Sequence, residues 1–191
     1  FYYITVMNEN YPHPALPEGA QEGILKGLYP LKQARRGRKA APRVQLLGSG
    51  TILRESIGAA QLLEQDFGVL ADIWSVTSYN ELARQGRDTA RWNRLHPEET
   101  PRSTYVGEQL ANAGGPIIAA SDYNQTYADQ IREFVPGRYV VLGTDGFGRS
   151  GTREQLRGFF EVNRYHIALA ALTALALLAA YVEEVRIGFD R

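Results

Sequence analysis

Glu9 and His13 are the residues best suited by type and spacing to move a proton, a carboxylate and an imidazole on a stretch stiffened by Pro12 and Pro14. Held at the edge of a domain, such a pair can work as acid and base. The plainer alternative is that the prolines shape a linker and leave both side chains solvated, and residue types alone favour it. A second chemistry is suggested by the run Gly143-Thr144-Asp145-Gly146-Phe147-Gly148-Arg149-Ser150-Gly151, in which Gly146, Gly148 and Gly151 satisfy G-x-G-x-x-G. Between a strand and a helix, the backbone N–H groups of such a loop can cradle a phosphate. A dinucleotide fold also needs a second strand ending in an acidic residue about 20 positions on. Phe159-Phe160-Glu161-Val162 comes too soon and runs into another helix, so a tight turn packed on a sheet is favoured. Ser49, Asp122 and His166 follow the chain order of one hydrolase class. Yet Ser49 stands in Leu47-Gly48-Ser49-Gly50 and not in the G-x-S-x-G elbow that presents a nucleophile. His166 opens an apolar helix and reads as a capping or interface residue.

These residues depend on the elements that carry them. Residues 1–6 are aromatic and β-branched and read as a strand, followed by an irregular connection containing Pro12, Pro14 and Pro17. A short helix is expected within 17–26 and a strand within 28–33. From Arg43 the alternation is regular, with strands expected near 43–48, 70–76, 116–121 and 138–143. The intervening helices are expected over 51–67, 81–95 and 123–135, with Ile52, Ile57, Ala60, Leu63 and Phe67 at helical spacing in the first. Thr152 begins a capped helix after the glycine loop. Strands alternating with helices predict an α/β domain with a largely parallel sheet. Ligands and partners of such sheets meet the loops at the carboxyl ends of the strands. Here those loops are Gly48-Ser49-Gly50, Thr77-Ser78, Ser121-Asp122 and the stretch 143–150.

Composition narrows the function classes. The 191 residues carry 21 Lys plus Arg against 21 Asp plus Glu, so no global charge points to nucleic acid or an anionic membrane. The basic run Arg35-Arg36-Gly37-Arg38-Lys39 has no interleaved aromatics and reads as a solvated loop. There is no cysteine, which excludes disulfides and thiolate chemistry and fits a reducing cytosol. The three histidines lack ligand spacing. The run 167–182 is apolar and alanine-rich but falls short of the roughly 18 residues of a membrane span, and is expected to cover the sheet as a buried helix. The opening Phe1-Tyr2-Tyr3 suits no signal peptide and suggests a piece of a longer protein.

Three longer stretches bear a family resemblance: Tyr2 to Tyr11 with Pro17-Glu18-Gly19, Leu46 to Arg54, and Leu142 to Ser150. Together they closely resemble the C-terminal part of the bacterial homodimeric pyruvate dehydrogenase decarboxylating component, a thiamine-diphosphate enzyme. Val76 to Arg84 and Arg91 to Pro97 are also similar to that family, and the resemblance extends to about Leu172. It implies that residues 1–17 are the tail of a pyrimidine-binding domain with its linker. Residues 18–191 would then be a transketolase-like C-terminal domain, a three-layer α/β/α sandwich with a five-stranded, mostly parallel mixed sheet whose antiparallel edge strand is the 28–33 segment.

The resemblance also implies a function. The parent would decarboxylate pyruvate and reductively acetylate the lipoyl domain of dihydrolipoyl acetyltransferase, as a cytoplasmic homodimer. This segment would contribute dimer contacts and the active-site edge, formed by Glu9, Asn10, Tyr11 and His13. Members of the family bind thiamine diphosphate and Mg²⁺ through an N-terminal Gly-Asp-Gly motif, and their activating glutamate would lie upstream of Phe1, so no cofactor is expected on this stretch alone. The alternative is a binding or dimerisation module without chemistry of its own. Two departures stand out. Pro12 separates Tyr11 from His13, which sits one position later than the family's histidine, and the ending Val182-Glu183-Glu184-Val185-Arg186 follows an alanine-rich run where a charged helix was expected. The 143–150 loop is expected to be ordered by dimer contacts or by residues near Tyr11–Pro14. A partner is expected for Asp145 or Arg149, the latter on a carboxylate.

Overall fold

The computed structural model describes residues 1, 3–4, 10–34 and 41–189, with side chains of the last helix described up to residue 176. Glu9 and the basic run 35–39 lie outside the described residues. Phe1, Tyr3 and Ile4, the described part of the expected first strand, are exposed and outside the sheet.

Helix α1 (Gln21–Lys26) leads into β1 (Leu28–Lys32), and β2 (Arg43–Ser49) turns through a 3₁₀ segment (Gly50–Ile52) into α2 (Leu53–Phe67). Then come β3 (Leu70–Val76), α3 (Tyr79–Leu95), α4 (Tyr105–Leu110), β4 (Ile117–Ala120) and α5 (Gln125–Asp129). A second 3₁₀ turn (Arg132–Phe134) precedes β5 (Tyr139–Leu142), α6 (Arg153–Phe159) and α7 (Arg164–Phe189). The five strands lie in the order β1-β3-β2-β4-β5, parallel except for β1, which pairs antiparallel with β3 from Leu28 opposite Val76.

Alternate strand residues feed two cores, as the two-residue period requires. Leu47, Trp74, Val76, Ile117 and Ala119 pack under α3, α4 and α5, while Val44, Leu46, Ile118 and Ala120 pack under α2 and α7. The result is the expected three-layer sandwich. From α7, Ile167, Ala168, Ala171 and Ala174 are buried against the sheet and α2, as expected for a covering helix. Among the described residues, no helix is long and apolar enough to cross a membrane.

Two expected helices differ in detail. In α2 the inward face is Ser56, Ala59 and Leu63 with the carboxylate of Glu55, continuing from Ile52 of the 3₁₀ turn, whereas Phe67 is exposed at the helix end. The single helix expected over 123–135 is two short pieces. The Tyr139 hydroxyl donates to the Ala128 carbonyl at 2.8 Å, capturing an acceptor that a continuous helix would use. Downstream, Pro136 favours an extended Val135 (φ −89°, ψ 126°), which ends the second piece.

Candidate functional site

Strand β2 sends the chain into the α2 layer and β4 sends it into the opposite, α5 layer. Where the two departures diverge, at the carboxyl edge of the sheet, an open α/β fold leaves a crevice. An open cleft of about 980 Å³ lies there, its rim including Ser49 to Thr51, Ser75 to Asn80 and Ser121 to Tyr123. Three of the four strand-end loops anticipated from sequence therefore converge. The fourth, 143–150, borders a smaller neighbouring groove of about 300 Å³.

Local sequence explains the sharp turns. A Cβ on Gly48 would stand 2.6 Å from the Cα of Leu53, so only glycine lets the end of β2 press against the first turn of α2. Gly27 caps α1 in the left-handed region (φ 98°), and its carbonyl accepts from the Thr77 and Ser78 amides at 2.9 and 3.2 Å. This pins the β3 exit loop. Thr51 Oγ1 donates to Asp122 Oδ2 at 3.1 Å, bridging the β2 and β4 loops on the border of cleft and groove.

Tyr11, Pro12, His13 and Pro14 lie along the cleft, so two of the residues singled out in sequence come to it. Asn10 is exposed and not on its lining, and Glu9 is outside the described residues. Tyr11 is fixed from two sides. The Arg54 guanidinium sits 4.2 Å from its ring centroid, and Arg157 Nη2 donates to its hydroxyl at 3.4 Å. Arg157 in turn faces Glu55 Oε1 at 3.4 Å. Arg164 gives Glu55 three more bonds, from its amide (3.0 Å), Nε (3.0 Å) and Nη2 (3.2 Å). Burial alone would raise the Glu55 carboxyl. The hydrogen bonds from Arg164 and the attraction of Arg164 and Arg157 outweigh it and hold the group below the usual carboxylate range. Tyrosines 29, 79, 123 and 127 complete an aromatic wall. The Tyr79 hydroxyl points into the protein and is raised well above the ordinary phenol value by burial.

The rival constellations do not form. Ser49 and Asp122 line the cleft, but His166 does not, and its Nδ1 is engaged with Asn163 Oδ1 at 2.8 Å at the start of α7. The glycine loop leads into α6 through the expected Thr152 cap, a box with Gln155. No strand follows α6 among the described residues, so the dinucleotide arrangement lacks its second strand. The loop is tied to its own domain. Thr144 N donates to Tyr123 O (2.9 Å), Thr144 Oγ1 to Asp122 O (2.6 Å), and Gln125 N to Asp145 Oδ1 (3.1 Å). These bonds run to the β4 exit and not to Tyr11–Pro14, one of the two sources of order expected for the loop. Asp145 thus has the backbone partner expected for it or for Arg149, while Arg149 lies over the Phe159 ring, 4.3 Å from its centroid, and not on a carboxylate.

Residues 27–163 match the transketolase-like TK C-terminal domain family. The chain belongs to this family. It is 58% identical over 193 residues to the pyruvate dehydrogenase E1 component of Cupriavidus necator, covering 100% of this chain and 21% of that protein. It is 60% identical over 177 residues to the E1 component of Pseudomonas aeruginosa, covering 92% of this chain and 20% of the relative. The chain thus spans about a fifth of the length of these relatives. The transketolase of Campylobacter jejuni superposes with a TM-score of 0.52 at 19% identity, over 85% of this chain and 20% of that one. That likeness is one of fold. The transketolase-like domain match starts at Gly27, so its span includes the strand-end loops of the cleft and excludes Tyr11–Pro14. Arg54, Arg157 and the tyrosine wall were missed from sequence, because they come together from segments far apart in the chain.

Proposed function

We propose that this chain is the C-terminal part of the pyruvate-decarboxylating component of a pyruvate dehydrogenase complex. Residues 1–17 are then the tail of a pyrimidine-binding domain with its linker, and 18–191 the C-terminal domain. The observation that carries the reading is the 58% identity to the Cupriavidus necator E1 component along the whole chain. The lie of Tyr11–Pro14 along the cleft supports it. In this reading the parent is a cytoplasmic homodimer that decarboxylates pyruvate and transfers the acetyl group to the lipoyl domain of dihydrolipoyl acetyltransferase. Thiamine diphosphate, with Mg²⁺, supplies the carbanion-stabilising chemistry when bound. Among the described residues, no three His, Asp or Glu side chains gather as metal ligands, and the chain has no Gly-Asp-Gly. The Mg²⁺-diphosphate is assigned in this reading to the rest of the parent, where the family's Gly-Asp-Gly motif is expected. What this chain adds is an edge: Glu9, Asn10, Tyr11 and His13 donate protons or hydrogen bonds toward the substrate.

The full-length protein, supplied with pyruvate, Mg²⁺, thiamine diphosphate and a lipoyl acceptor, is expected to release CO₂ and load acetyl groups. Failure of both would sink the reading. Glu9→Gln is expected to slow decarboxylation by roughly 100-fold, the scale of one lost acid–base group. An unchanged rate removes Glu9 from the site and favours the rival, a dimerisation and docking module without chemistry. The isolated chain given the same mixture is expected to show no turnover.

A further inference from the structure

We infer that Arg54 and Arg157 are positioning residues that clamp Tyr11 and thereby hold His13 at the mouth of the cleft. The activity arm of the test below rests on the function proposed above, whereas the geometry does not.

The stretch 10–16 belongs to no helix or strand, and Asn10 and residues 12–16 are exposed. Pro12 and Pro14 carry no amide hydrogen, so this stretch has fewer backbone donors with which to fasten itself. Tyr11 is its half-buried residue. Two cations from different elements meet it, Arg54 of α2 on the face of the ring and Arg157 of α6 at the hydroxyl. A guanidinium over the face and a donor at the tip fix both the position and the rotation of a phenol.

Arg157 is no loose surface cation. Its side chain is only 19% exposed, and its Nη1 is turned toward Glu55, itself 9% exposed and gripped by Arg164. That pairing leaves Nη2 aimed at Tyr11. Arg157, carried on α6, thereby reaches from the interior to a segment that lacks regular structure. His13 is two residues further on, and two residues of extended chain span at most roughly 7 Å. Where Tyr11 sits thus bounds where the imidazole can work, and a misplacement of about 1 Å can cut a rate roughly 100-fold.

The test uses the full-length parent with a nitroxide borne on an encoded unnatural residue at exposed Ala15, and the variants Arg54→Met, Arg157→Met, Arg157→Lys and Arg164→Met. Arg54→Met and Arg157→Met are expected to narrow the nitroxide lines, and to lower kcat for pyruvate about tenfold with a smaller change in KM. Arg157→Lys restores part of both. Arg164→Met removes a neighbour of Glu55 but spares the Arg54 and Arg157 contacts to Tyr11, so it should lower the melting midpoint and leave line width and kcat as they were. Lines unchanged in both Arg54→Met and Arg157→Met would overturn the clamp. So would an Arg164→Met protein as mobile at residue 15 as Arg157→Met, since the effect would then be general loosening. If Arg157→Met fails to fold, Arg54→Met decides alone. A parent inactive toward pyruvate would sink the proposed function while the nitroxide still judged the clamp.

Discussion

A carboxylate as enclosed as Glu55 is stable only because it is met on several sides at once, by Arg157 and by three donors of Arg164. Its proton affinity is lower folded than unfolded, so the sign of its pH effect is fixed. The stabilisation is whole above the ordinary value of 4.5 and is lost as pH falls through the lower folded value. Glu55→Gln is therefore expected to lower stability at pH 7 by about 1–3 kcal/mol. It should also flatten the loss of stability below pH 4.5, which denaturant midpoints measured from pH 7 to pH 3 would register. A variant with the wild-type acid slope would contradict the assignment. Nothing in the sequence marks Glu55, which looks like any acidic residue in the first turn of a helix, because its partners are 102 and 109 residues away. The same holds for Tyr11, whose seat on Arg157 is 146 residues distant. Tyr11 and His13 were singled out through a resemblance spread over the chain, and both lie on the cleft. The arginines that meet Tyr11 were not, since contacts between residues far apart in the chain leave no local pattern.

Elements were more legible than contacts, because periodicity and glycine spacing are local. The five strands fall where alternation put them, with the 28–33 segment as the antiparallel edge. What failed was continuity near 123–135, where a hydroxyl from β5 takes a carbonyl of α5, and the fate of Phe67, which helical spacing turned inward but which lies exposed beside the left-handed Gly68 cap. The tightest joint is Gly48 against α2. Gly48→Ala would place a methyl 2.6 Å from the Leu53 Cα and 2.9 Å from Ser56 Oγ, and backbone cannot swing aside as a side chain can. A loss of about 1–3 kcal/mol is expected, the range for overpacking. Gly68→Ala, at the other end of α2, has open space for its methyl but a φ of 64°, so it should lose less, about 1 kcal/mol. Chemical denaturation of the two variants side by side would check the order, and equal losses would show that the joint is looser than it looks.

Across the whole molecule, the two edges of the sheet do different work. The carboxyl edge holds the cleft. At the amino edge a fully buried Gln45 donates to Asp72 (3.0 Å), Ala113 O (2.9 Å) and Gly114 O (3.0 Å), and accepts from Trp74 Nε1 (2.8 Å). Arg43 binds both oxygens of the same Asp72 at 2.7 Å. In sequence this was an apolar strand, and one polar residue inside it gave no sign of the network it serves. Gln45→Leu would strand the Trp74 donor and two carbonyls, at an expected loss of about 2–4 kcal/mol. Turnover per folded full-length molecule should stay at the wild-type level, and a drop in that turnover would show that the two edges are coupled. The Tyr11–Arg157 contact carries a last consequence, which concerns time. A ribosome extrudes the chain from its amino end, so Tyr11 and His13 emerge early and Arg157 nearly 150 residues later. At about 5–20 residues per second, the stretch that borders the cleft waits roughly 7–30 s without its Arg157 contact. Its geometry is among the last things this domain acquires as it is made.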